Sequence, residues 1–377
     1  MKIVRINLFE LEGPPRSGLA VYEIDRGGLA PNQSTPYRQA FIEIETDEGV
    51  TGLAQHYKGA SQEVKALGRT LIGEDPLRVE AIWDRLYTSG YQRGGNLRAL
   101  STLDLALWDL VGKARDAPVY RLLGGPCQER VRAYAAMLGF STEPEAAARR
   151  TREWAEKGFS GFKWYLPANE EDGEEGLRRN VATVAAVREA AGDEADLMFD
   201  CILSDASRNS LLYAIKLARR LEPYHPTWLE EPLNADDLEA YGRLARATSI
   251  PLAFGEHLTT RWTFKELLDQ GVATVLQPEM GVTGGLTETC KIVTLAATYG
   301  VPVVPHANET GRSVIHLLFA RPHRICPLAE WGVRINHNTQ YFYKDFYQPV
   351  DGYFQLPQGP GFGYALDLDK AVKRTDL

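Results

Sequence analysis

The chain reads as an α/β protein, a (β/α)8-type barrel (a modified TIM barrel) with an α+β capping domain at its N-terminal end. Three observations predict this. After Gly125, short apolar runs alternate with amphipathic helical segments, eight strands over about 210 residues, which is the rhythm of a (β/α)8 barrel. Before Gly125, period-two alternation is followed by helical periodicity, as in an α+β unit. Three of the barrel runs also end in an acid: Asp200 in DLMFDC, Glu230 in TWLEEP and Glu256 in PLAFGEH. Their spacings of 30 and 26 residues each match one strand-plus-helix unit. A doubly wound open sheet fits less well, because no GxGxxG follows the first strand.

Taken in order, residues 1–60 predict antiparallel strands. MKIVRINLFEL alternates apolar and polar residues, and QAFIEIETDEGVTGLAQ reads as strand, turn and strand with DEG at the turn. Between them, GPPRSGLAVYEIDRGGLAPNQSTP is Gly/Pro-rich and too long for a tight connection; such segments serve as lids or stay disordered. Residues 61–123 turn helical. LSTLDLALWDLVGKARDAPVYRLLGG puts Leu103, Leu107, Leu110 and Val111 on one face, with Gly124-Gly125 as the expected stop. The barrel strands are then RVRAYAAM, GFKWYLP, DLMFDC, TWLEEP, PLAFGEH, TVLQPEM, VPVVPHA and PLAEW. The expected division is a cap over 1–125, a barrel over 126–340 and a C-terminal segment, 341–377, that returns to the cap.

Composition narrows the function classes. The 377 residues are 44% hydrophobic and 24% charged, ordinary for a soluble globular protein, and the net charge is −8. Without a basic surface, nucleic acid is not an expected partner. Four dispersed cysteines form no CxxC pair, which suggests reduced thiols rather than a disulfide framework. The N-terminus lacks the continuous apolar stretch of a secretory signal, and no apolar run is long enough to span a membrane. A soluble, cytoplasmic protein with no membrane partner is expected.

In a barrel of this kind chemistry sits at the C-terminal ends of the strands. The residues placed there are Lys163, Tyr165, Asp200, Glu230, Glu256, Glu279, His306 and Glu330. One exposed carboxylate is usually a solvated charge. Several that end consecutive apolar strands would be buried unpaired, and a cation relieves that cost. Oxygen-only ligation by Asp200, Glu230 and Glu256 points to magnesium, with manganese as the alternative, rather than zinc. Strand alternation turns Cys201 away from Asp200, and Glu231 toward the helices or a neighbouring loop. Trp108, Trp154 and Trp228 fall on apolar faces and read as core, and RRTREW (149–154) as a solvated helix face.

At these motifs the chain resembles the enolase superfamily, in its mandelate racemase subgroup, over nearly its whole length. STLDLALWDLVGKARDAPVYRLLGG resembles the helical signature of that group's cap; Asp200, Glu230 and Glu256 match its metal ligands; QPEMGVTGG matches its sixth-strand motif; VPHAN carries its seventh-strand histidine. The resemblance implies a bound magnesium, removal of the proton beside a substrate carboxylate, and an enediolate. It also implies that His306 is the base and Glu279 its partner, where the family usually has Asp. Muconate-lactonising and dipeptide-epimerising relatives carry a lysine at the end of the sixth strand; TVLQPEMGVTGG has none. In GFKWYLP, Lys163 matches the first lysine of the family's K-x-K motif and Tyr165 replaces the second. A tyrosine of ordinary pKa, about 10, makes a poor second base, so a one-base dehydration to a 2-keto-3-deoxy acid is favoured. The alternatives are a racemase or epimerase of an α-hydroxy acid using Tyr165 or Lys163, and a binding protein on a retired barrel. The FDC run, GEH and QPxxGxxGGxTE are similar to rhamnonate dehydratases, so an aldonate such as L-rhamnonate is the expected substrate type. Glu330 resembles the eighth-strand glutamate that bonds the enediolate. His257, His56 and Tyr22 are the expected substrate contacts, with Arg26 beside Tyr22. The family's habit implies a homo-oligomer, often an octamer.

Overall fold

A computed structural model of the chain describes residues 1–16, 35–202, 208–307 and 311–377. The cap begins with three strands, β1 (Ile3–Arg16), β2 (Thr35–Thr46) and β3 (Thr51–His56), each antiparallel to its neighbour. The DEG turn falls where it was expected, between β2 and β3, with Gly49 at φ +79°. Four helices follow: α1 (Ser61–Arg69), α2 (Val79–Ser89), α3 (Leu97–Ala114) and α4 (Val119–Leu122). The long helix thus ends ten residues before the expected Gly124. Asp116 takes a left-handed φ of +46°, and Pro118 precedes α4, where its missing N–H could not have continued α3.

The barrel alternates β4 (Arg130–Ala136), α5 (Pro144–Ala155), β5 (Gly161–Tyr165), α6 (Gly173–Ala191), β6 (Asp196–Asp200), α7 (Leu211–Leu221), β7 (Trp228–Glu230), α8 (Leu238–Ala245), β8 (Leu252–Phe254), α9 (Thr260–Gln270) and β9 (Val275–Leu276). After α10 (Met280–Thr283) and α11 (Gly285–Tyr299) come α12 (Gly311–Phe319), β10 (Leu328–Gly332) and α13 (Ile335–Thr339). β4 through β9 pair in parallel in chain order, and β10 pairs in parallel with β4. The seventh expected strand, VPVVPHA, is reduced to one bridge between Val303 and Leu276, while the Val303 N–H donates to Ile325 O ahead of β10. Pro302 and Pro305 have no N–H to donate, which limits a ladder there; Pro278 similarly ends β9.

Side-chain alternation separates two cores. Phe162, Trp164, Leu197, Phe199, Leu229, Leu252 and Phe254 face the helices. Tyr134, Ala136, Met198, Trp228, Ala253, Val275, Val304 and Leu328 fill the barrel's interior. Two residues further along, the same interior face carries Asp200, Glu230 and Glu330, and alternation in β5 adds Lys163 and Tyr165. A polar layer therefore rests on an apolar plug at the strand ends.

The C-terminal residues tie the two halves together. β11 (Tyr353–Gln355) lies antiparallel on the start of β4, and β12 (Lys373–Asp376) lies antiparallel on β1. Buried Asp109 of α3 accepts N–H groups from Leu53 of β3 and Phe362 of the C-terminal segment, both at 2.8 Å. Cap and barrel also meet at the Gly284–Thr287 turn. Trp83 Nε1 donates to Gly284 O at 2.7 Å, and Ser101 Oγ accepts the Gly284 N–H at 3.0 Å. Asp104 accepts from the Thr287 N–H and hydroxyl at 3.0 and 2.6 Å, and Trp108 Nε1 donates to the same hydroxyl at 2.8 Å. Among the described residues, no helix is long and apolar enough to cross a membrane.

Candidate active site

Parallel register brings the acids of neighbouring strands together. Tyr165 is level with Asp200, Asp200 with Glu230, and Glu230 with Ala253. Glu256 lies two residues beyond β8, past Gly255, whose φ of +122° a side chain would rarely adopt. All three expected ligands are buried, at 3%, 1% and 7% exposure. Lys163 of β5 enters this group. Its Nζ lies 2.8 Å from Glu230 Oε1, 3.0 Å from Glu330 Oε1 and 3.3 Å from Asp200 Oδ2. Burial alone would lower the lysine's pKa, but Glu230 and Glu330 outweigh it and hold the ammonium well above its usual range. Burial, then the adjacent Glu230, push the Asp200 carboxyl well upward, with Lys163 opposing.

Glu256 faces the other way. Its Oε2 is 3.2 Å from His306 Nε2, and its Oε1 is 3.1 Å from His257 Nε2. Burial alone would raise its pKa, but His306, with His257, overcomes that and holds it at about 2. His306 Nδ1 donates to Glu279 Oε2 at 2.8 Å, and Glu279 Oε1 accepts the Gly281 N–H as N-cap of α10. That anchor fixes the imidazole's orientation and leaves Nε2 toward Glu256 and, at 3.9 Å, Glu330 Oε2. Burial would lower the His306 pKa, but Glu256 and Glu330, with the Glu279 hydrogen bond, hold it well above the ordinary value. Glu330 Oε2 also accepts the Ala307 N–H at 3.0 Å, so the residue after the histidine is tied to β10.

The remaining expected residues divide. Tyr165 lies 5.7 Å, ring centre to Lys163 Nζ, and packs with Leu138 and Ile335; burial drives its phenol well above the ordinary pKa. His257 is exposed on the rim, and its bond to Glu256 raises its pKa. His56, at the end of β3, is bonded through Nε2 to Ser61 Oγ at 2.8 Å rather than to the group around His306, and burial lowers its pKa to about 4. Tyr22 and Arg26 lie outside the described residues. Cys201 is buried in the outer core, and burial raises its thiol pKa.

Two features went unread in the sequence, and a third, Glu231, was read only to a choice between the helices and a neighbouring loop. Trp228 is core as expected, yet its Nε1 donates to Glu230 Oε2 at 2.9 Å. Gln277, on β9's continuation, is buried two residues past the interior residue Val275. Glu231 adopts a left-handed φ of +41° and reaches the neighbouring loop, where Oε1 accepts the Gly255 N–H at 3.1 Å. Burial, then Glu256, raise its pKa to about 7. Glu231, Glu256 and His257 offer one donor atom each within 4.8 Å of one another; among the described residues this is the one such group, so Glu256 closes up with Glu231 and His257 rather than with Asp200 and Glu230. The Trp228 and Gln277 signals were available: each is two residues along its strand from an interior position.

The donor set suits a hard cation. Six carboxylates (Asp200, Glu230, Glu231, Glu256, Glu279 and Glu330) share the mouth with Lys163 and two histidines, and burial, with Glu230 alongside, pushes the Asp200 carboxyl upward despite Lys163.

Similarity to known proteins follows the same lines. The family model for the enolase C-terminal domain-like fold matches residues 146–371, and that for the mandelate racemase / muconate lactonizing enzyme N-terminal domain matches residues 31–124. The chain is 34% identical over 358 residues to the D-galactonate dehydratase of Cronobacter sakazakii, covering 90% of this chain and 92% of that one. The 3,6-anhydro-D-galactonate cycloisomerase from Zobellia galactanivorans superposes with a TM-score of 0.82 at 26% identity, covering 98% of both chains. A member of the enolase superfamily from Salmonella Typhimurium gives 0.83 at 25% identity over 99% of both.

Proposed function

The chain belongs to the mandelate racemase / muconate lactonizing enzyme family of the enolase superfamily, and from that premise we propose that it dehydrates an aldonate to a 2-keto-3-deoxy acid. The observation that carries this reading is His306, anchored at Nδ1 by Glu279 and with Nε2 turned into the acid-lined mouth. The α-proton of a carboxylate is very weakly acidic, so removing it requires both a placed base and stabilisation of the added charge. Magnesium held by Asp200, Glu230 and Glu256 would supply that stabilisation when bound.

The chain's own residues carry the other requirements. His306 Nε2 takes the α-proton, leaving the electron pair in an enediolate. Glu256, 3.2 Å from Nε2, sets how readily it does so: a cation held by Glu256 would draw negative charge away from His306 and leave Nε2 freer to act as a base. The enediolate pair then forms the C2–C3 double bond as the β C–O bond breaks. The hydroxyl leaves as water with a proton from His306 or from His257 on the rim, and the resulting enol becomes the keto acid. Lys163 and Glu330 form a fixed polar floor, the ammonium offsetting carboxylate charge.

A racemase needs a second base on the opposite face. Lys163 is engaged by three carboxylates, and the Tyr165 phenol is pushed away from neutral titration, so both weigh toward dehydration. The similarity to D-galactonate dehydratase supports the aldonate class and puts D-galactonate beside L-rhamnonate as first substrates to try.

The test is a panel of aldonic and aldaric acids with magnesium, following 2-keto acid formation. One aldonate should turn over, and His306→Asn should cut kcat by about 10²–10⁴-fold, the span of a lost general base. An acid that exchanges its α-proton or racemises while none yields a keto acid would overturn the proposal.

A further inference from the structure

Gln277 has no part in the chemistry above, yet it lies in the same layer. The β9 residue Val275 belongs to the interior apolar plug, as do Met198, Trp228 and Leu328. Asp200, Glu230 and Glu330 each follow one of these by two residues; Gln277 follows Val275 by two. Its N–H donates to Phe254 O at 3.0 Å, which extends the ladder one residue past β9 and keeps the strand's facing. Two residues on stands Glu279, the anchor of His306.

The Gln277 side chain is 1% exposed, and both Nε2 and Oε1 are buried with no hydrogen-bond partner among the described residues. Its neighbours in the layer are bonded: Glu230 by Trp228 and Lys163, Glu330 by Lys163 and the Ala307 N–H, Asp200 by the Ile202 N–H. A buried donor and acceptor left unmade together are costly, and such a pair requires an explanation. Packing alone would be served better by methionine or leucine.

We propose that the Gln277 carboxamide binds a hydroxyl of the substrate, near the carbon that His306 deprotonates, and so helps select which polyhydroxy acid reacts. A hydroxyl donates and accepts, so it satisfies the amide whichever end presents nitrogen. A substrate carboxylate, which only accepts, would leave Oε1 unpaired. The inference rests on the aldonate reading and adds a residue to it.

The test replaces Gln277 with Met, an unbranched side chain of similar size without the amide. Wild-type turnover is measured first; if no aldonate gives a keto acid, the function reading fails on its own. Given turnover, Gln277→Met should lower kcat/KM for the best aldonate about 10- to 100-fold while raising Tm, since the unpaired amide is gone. The loss should disappear, to within about threefold, on the one deoxy analogue that lacks the contacted hydroxyl. Calorimetric titration of the aldonate into His306→Asn, with and without Gln277→Met, reads the same contact without turnover and should show a matching loss of affinity. If Gln277→Met does not fold, Gln277→Asn keeps the amide but withdraws it, with the same losses expected. Unchanged kcat/KM with a lowered Tm, or an equal loss on every deoxy analogue, would overturn the proposal and leave Gln277 a structural amide.

Discussion

Lys163 shows how much one side chain can hold together. It is buried among carboxylates from three other strands, and no local motif encodes which of them it meets. Removing one member of a buried ionic group leaves charge uncompensated, at a cost of about 3–5 kcal/mol. Lys163→Met should therefore lower stability by that order, and magnesium should raise the variant's Tm more than the wild type's, because the cation would replace the missing charge. Thermal melts with and without magnesium check this; an equal shift in both proteins would count against a cation site among these acids. At this scale the sequence was readable where alternation alone decides facing, as for Asp200, Glu230 and Glu330. At Glu231 it left two directions open, and a left-handed backbone selects the neighbouring loop; for His56, whose partner Ser61 lies beyond the strand end, it gave no partner.

Helix α3 and the start of α11 form the element-scale joint. Asp104 accepts two hydrogen bonds from Thr287 in the first turn of α11, so a cap side chain completes a barrel helix. Burial raises its pKa to about 7 against an unfolded value near 3.8, with Thr287 and Lys291 opposing and Glu80 adding slightly. A carboxyl raised in the folded state binds more protons there than when unfolded, so its contribution is fullest at low pH. The stability of the wild type relative to Asp104→Asn should hence fall as pH rises from about 4 to 7 and stay level outside that window. Urea titrations at several pH values measure it, and a pH-independent difference would show that Asp104 does not titrate there. The helix was legible from its apolar periodicity. Its end at Ala114 was not, because the stop depends on the local backbone at Asp116 and on Pro118 rather than on the Gly pair further along.

At the scale of the whole molecule, the C-terminal residues join cap and barrel by pairing with both sheets. Gly361 sits at the crossing with a φ of +68°, and a Cβ there would lie 2.3 Å from Asp109 Oδ1 and 2.8 Å from Asp109 O. Gly361→Ala should cost about 2 kcal/mol or more, read as a lower urea midpoint, since neither the backbone conformation nor the space accepts a methyl group. The order of strands and helices, the acids at strand ends and the absence of a sixth-strand lysine were all determined by the sequence itself, because period and spacing are local properties of the chain. What tertiary structure decided was which charges meet. Lys163 lies among Asp200, Glu230 and Glu330, Glu256 turns to the histidines, and the Gln277 amide has no partner among the described residues. Those pairings depend on the closure and register of a barrel whose strands are separated by whole helices, and no local pattern encodes them.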